Sequence, residues 1–140
     1  MAATFELAHR VLQTWVNAHP DSPAPVIMHI TDGESTDGDP TPNARKVMEL
    51  RTNDGHALVF NCHITEKDVS RIEFPANDRE ISSLSNAQVM FLMSSTLPGP
   101  MAEAARLQGF EIQPGARGCV YQADRGTLIR FINFGSTSLV

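Results

Sequence analysis

The residues of this chain best suited to chemistry are carboxylates. Asp32, Glu34, Asp37 and Asp39 fall within the short stretch Thr31-Asp32-Gly33-Glu34-Ser35-Thr36-Asp37-Gly38-Asp39-Pro40. Acids this close in sequence can gather around a hard divalent ion such as Mg²⁺, which takes about six oxygen ligands. An ion held there could polarise a phosphoryl or ester oxygen, or activate water. The alternation Asp32-x-Glu34-x-Thr36 is superficially similar to a calcium loop. That loop needs a glycine where Asp37 stands and a glutamate where Asn43 stands, so the EF-hand pattern fails. Asp, Ser, Thr and Gly also make turns and helix caps, and this plainer use competes with metal binding at every one of these acids.

Other reactive side chains have weaker patterns. Ser94-Ser95 lacks the G-x-S-x-G elbow of a nucleophilic serine and fits loop and cap chemistry. Cys62 and His63 are neighbours on a strand, where successive side chains point to opposite faces, so they cannot act as a thiol and its base. No His-x-x-x-His or Cys-x-x-Cys spacing supports zinc, and His29 lies in an apolar run as a core histidine would. Gly33 to Gly38 follows a strand without the G-x-G-x-x-G pattern of a phosphate loop. Trp15 and the phenylalanines sit at core spacing and are not interleaved with Lys or Arg as a base-stacking platform would be.

The acidic stretch must be positioned by what precedes it. Val26-Ile27-Met28-His29-Ile30-Thr31 is almost wholly apolar and lacks polar alternation, which predicts a strand covered on both faces in a parallel sheet. Ligand groups in such sheets gather at the carboxyl ends of the strands, where Asp32 would stand. Before this strand, Phe5, Ala8, Leu12, Trp15 and Val16 share a helical stripe that ends at His19-Pro20. After it, Pro42 and Asn43 open a helix with Ala44, Val47, Met48 and Arg51 on one face, closed by Asn53-Asp54-Gly55. His56 to Ile64 then reads as a second strand, completing a βαβ unit.

Thr65 to Asn77 has no period and reads as a long loop. Asp78 to Met93 reads as one or two short helices with Ala87, Met90, Phe91 and Met93 inward. Met101 to Gln108 is a helix closed by Gly109, with Phe110 set for a Schellman contact. Cys119-Val120-Tyr121 is a third strand. A last helix from Asp124 to Phe134 turns Leu128, Phe131 and Ile132 to one face and ends at Gly135. The expected class is α/β, a partial doubly wound (Rossmann-like), mostly parallel sheet flanked by helices.

Size and charge narrow the function. With 140 residues and 41% hydrophobic content, one domain with a real core is expected over residues 1–140. Sixteen acidic against eleven basic residues give a net charge of -5, the wrong sign for a nucleic-acid surface. Cys62 and Cys119 lie far apart in apolar runs, as buried free thiols do, which makes a reducing compartment the default. No signal-peptide pattern or membrane-length apolar run is present, so a cytoplasmic protein without membrane contact is expected.

Four pieces in order resemble a bacterial von Willebrand factor type A domain: Val26 to Gly33, the acidic turn after it, Met93-Ser94-Ser95 with Leu97-Pro98, and Leu128 to Gly135. The resemblance implies a parallel sheet with a metal-ion-dependent adhesion site at its carboxyl edge, where a protein partner's carboxylate completes the coordination of Mg²⁺. Asp32 matches the aspartate that follows the family's fourth strand. The family's Asp-x-Ser-x-Ser motif is missing here, as are its first three strands, so the resemblance describes an N-terminally truncated domain with an incomplete site. What it implies is a non-catalytic protein-interaction module that requires no cofactor. Asp32 would keep residual metal affinity, with Asp37 and Asp39 as further candidate ligands for weakly held Mg²⁺.

The alternative reading is a small Mg²⁺-assisted hydrolase using Asp32, Asp37 and Asp39. In the family sheet the strand matching Val26 to Thr31 is central. Without its neighbour it becomes an apolar edge, and a homodimer through that edge is expected.

Overall fold

Residues 1–81 and 85–137 are described in a computed structural model. The run ahead of the acidic stretch forms strand β1, Val26–Thr31, preceded by helix α1, Ala2–Ala18. Helix α2, Thr41–Glu49, carries Pro42 in its first turn, where a missing N–H costs nothing. It leads into β2, Leu58–Ile64, which pairs in parallel with β1. The segment expected to be a long loop contains a two-residue strand, β3, Ile72–Glu73. A strand this short has too few positions to show a period. A 3₁₀ turn at Asp78–Ile81 precedes α3, Ser85–Leu92. The expected helical region therefore divides in two, and residues 82–84 within it lie outside the described residues.

Helix α4, Gly99–Leu107, ends in a full Schellman motif: Gly109, at φ +89°, donates to Arg106 O and Phe110 donates to Ala105 O. Strand β4, Cys119–Ala123, runs into α5, Arg125–Gly135. The Asp124 carboxylate caps α5 by accepting from Thr127 N.

The sheet order is β1-β2-β4-β3, parallel except for the antiparallel β3–β4 pair. The chain is thus α/β, with a mostly parallel four-stranded sheet flanked by helices, consistent with a Rossmann-like fold. Two apolar clusters cover the sheet. Phe5, Val47, Val59, Met90 and Tyr121 join α1, α2 and α3 to one face. Phe60, Cys62, Met101, Val120, Phe131 and Phe134 join α4 and α5 to the other. No helix among the described residues is long and apolar enough to cross a membrane.

Several expectations are corrected by this packing. β1 is the expected edge strand; Val26 and Met28 pack on one apolar cluster and Ile27 on the other, so both faces are covered, but the open edge leaves its side chains half-buried and Ile30 40% exposed. On α1, Phe5 and Val16 are buried, whereas Trp15 faces outward and stacks on His19. Arg51 falls beyond α2, in an isolated bridge with His56. The buried face of α5 is Thr127, Phe131, Phe134 and Gly135, which leaves Ile132 exposed. Gly135 packs against Met28, and a methyl group there would overlap that side chain.

Candidate functional site

The parallel strands β1, β2 and β4 end on one side of the sheet. A cleft of about 530 Å³ opens there, lined by Asp32 after β1, by Ile64 to Lys67 after β2, and by Ala123 to Arg125 with Leu128 after β4. Its apolar lining comes from Ile64, Ala123 and Leu128. Asp32, Glu66 and Asp124 bring negative charge, and Lys67 and Arg125 positive charge. Asp124 also pairs with Arg71 Nη1 at 2.7 Å. Its carboxyl is held below the usual carboxylate range, chiefly by the Thr127 hydrogen bonds and also by the Arg71 and Arg130 charges.

The other candidate acids serve different purposes. Asp37 accepts from the Met1 amino group and from the amides of Ala2 and Ala3, each at 2.9 Å, and so closes the start of α1. The Ala3 hydrogen bond, the Met1 amino group and the Ala2 hydrogen bond depress its pKa, in that order. Asp39 accepts from Thr41 N at 3.0 Å at the entry to α2, and this bond likewise lowers its pKa. The acids that the sequence groups together are thus divided between two helix starts and the cleft. These residues do not fit a metal centre: both oxygens of Asp37 and Oδ1 of Asp39 accept from backbone donors at two separate helix starts, and Asp32 alone supplies too few ligands. Among the described residues, no three His, Cys, Asp or Glu side chains could together hold a metal ion.

Behind the cleft, His63 stacks on Tyr121 with ring centroids 4.4 Å apart. Its Nδ1 accepts from Gln122 N at 3.2 Å, which places the neutral ring's proton on Nε2. Gln122 takes a left-handed conformation, φ 62°, where the β2–β4 register shifts. Burial lowers the His63 pKa, and the Asp32 and Glu34 charges oppose that shift. With Nδ1 engaged by the backbone, His63 is not posed as a general base toward the cleft.

A second polar group lies under α1. Asn61 is fully buried on β2; its Oδ1 is 3.0 Å from His29 Nδ1, and its Nδ2 donates to Met93 O and Ser94 Oγ. Ser94 donates in turn to Met90 O. Ser95 Oγ accepts from Val59 N. The serine pair therefore satisfies buried backbone and amide groups. His29 is half-buried against Phe5, and burial lowers its pKa.

Cys62 and Cys119 are both buried and free. In the β2–β4 register Cys119 lies opposite Asn61, one position from Cys62, so the two thiols point to opposite faces of the sheet. Burial pushes both thiols up to about 12.

Lys67, Asp124 and Arg125 share no spacing signal in the sequence, since Lys67 falls in the segment expected to be a loop and Asp124 and Arg125 fall at the start of the expected last helix. The available signal was positional: the residues just after β2 and β4 belong to the same sheet end as those after β1. Comparison with protein-family models, with curated proteins and with solved structures gives no match for this chain.

Proposed function

We propose that this chain is a non-catalytic protein-interaction module of the von Willebrand type A kind, binding a segment of a protein partner in the cleft at the carboxyl edge of its sheet. The observation that carries this reading is the make-up of that cleft, an apolar lining of Ile64, Ala123 and Leu128 with charges of both signs around it. A peptide offers the matching parts: an apolar side chain for the lining and flanking charges for Lys67, Arg125 and Asp32. The resemblance supports the choice of family, since its Thr31-Asp32-Gly33 stretch ends β1 and is preceded by a helix. The metal-ion-dependent adhesion site of that kind is incomplete here. Partner binding then rests on the cleft's own side chains, without a bridging ion.

Selection from a random-peptide display library tests the reading. Peptides carrying an apolar residue flanked by charges should be enriched, and their binding should fall at least tenfold in Leu128→Asp and in Lys67→Glu. The proposal is overturned if no peptide is enriched, or if enriched peptides bind both variants as tightly as the wild type.

A further inference from the structure

The two edges of the sheet are built differently. β3 is two residues long and offers little backbone for pairing, whereas β1 is six residues long and has neither proline nor charge. Leu58 donates to Pro25 O, and alternate residues of β1 turn their backbone groups to β2 from there on. The N–H and C=O groups of Val26, Met28 and Ile30 therefore face away from the sheet.

Apolar side chains flank this edge above and below. Asp37, just past β1, caps the start of α1, so α1 runs antiparallel to β1, with Phe5 against His29. With Phe5 and Val16 toward the sheet and a right-handed β1–α2–β2 crossover, the helical repeat sends Val11 and Trp15 past the free edge of β1, with Leu7 at the outer rim of that flank. No charged residue falls on that flank of α1. On the opposite face, Arg130 marks the α4 side of α5 by lying over Phe110 and reaching Gln108 O. The helical repeat then turns Ile132 away from α4 and toward the β1 edge, with Ile129 at the outer rim of that flank. Together with Ile30, these are six of the nine exposed large apolar side chains among the described residues.

We infer that the β1 edge is the interface of a two-fold homodimer, in which β1 of one chain lies antiparallel to β1 of the other, with α1 against α1 and α5 against α5. An added single strand would pair with β1 but would leave both helical flanks bare. The occupant must present a strand between two apolar helices in the same cross-section, and a second copy of this chain does so by symmetry. Full burial of the six side chains would remove at most on the order of 600 Å² per chain, so the paired β1 backbones and the polar rims of both helices supply the rest of the roughly 800 Å² that each partner buries in a standard interface. The inference is independent of what the carboxyl-edge cleft binds.

Light scattering on the whole chain at high micromolar concentration tests it. The wild type should show twice the monomer mass of 15.3 kDa. Val11→Lys combined with Ile129→Lys should reduce it to one copy with an unchanged circular dichroism spectrum, because both residues are more than half exposed. Leu107→Lys, on α4, should leave the dimer intact. Amide exchange at Met28 and Ile30 should be slow in the wild type and fast in the double variant. A monomeric wild type, or a dimer that persists in the double variant, overturns the inference. So does a dimer whose Met28 and Ile30 amides exchange at the monomer's rate. Loss of the dimer with the cleft's peptide binding retained separates this interface from the proposed function.

Discussion

Asn61 carries more of this structure than its residue type suggests. A fully buried amide is costly unless its donors and acceptor are used, and here His29, Met93 O and Ser94 use them. Asn61→Ala should leave several of these partners unsatisfied and cost about 1–3 kcal/mol, measured by urea unfolding. The histidines set an acid limit. Burial lowers the pKa of His29 and His63 in the fold, so on acidification the unfolded chain takes up these protons first. Their contribution to stability is present above the ordinary histidine pKa and is lost as pH falls below it. Unfolding midpoints should decline between neutral pH and pH about 5, and less steeply in His29→Asn. The thiols give an independent check on burial. With both pushed up to about 12, Cys62 and Cys119 should resist a thiol reagent at mildly alkaline pH in the native state and react on unfolding.

Among the elements, two glycines mark where backbone and side chain approach most closely. A Cβ at Gly118 would overlap the Phe60 ring, and one at Gly135 would overlap Met28, which joins the end of α5 to β1. Gly118→Ala and Gly135→Ala should each destabilise by about 1–3 kcal/mol in thermal or denaturant unfolding. The sequence showed Gly135 as a helix terminator and could not show its packing role, because Met28 lies far away in the chain. What was legible had local causes: the β1–α2–β2 unit from apolar runs and turn residues, the α4 Schellman end from Gly109-Phe110, and the α5 helix from its apolar spacing and closing Gly135. What was illegible depended on neighbours. β3 is too short for periodicity, the outward turn of Trp15 and Ile132 depends on where the sheet ends, and the split of Asp37 and Asp39 from Asp32 depends on the two helix starts that claim them.

For the whole molecule, we propose separate tasks for the edge of the sheet and its carboxyl end. In that proposal the long edge of β1 meets a second copy, and the cleft after β1, β2 and β4 receives a peptide segment. The chain's acids, read together, suggested a metal centre, and their hydrogen bonds divide them between helix caps and a mixed-charge cleft. In the proposed function this cleft binds without catalysing. A phosphatase and esterase screen with Mg²⁺ and Mn²⁺ on the wild type and Asp32→Ala tests this. No metal-dependent turnover should distinguish the two proteins, and metal-dependent turnover in the wild type that disappears in Asp32→Ala would overturn the proposal.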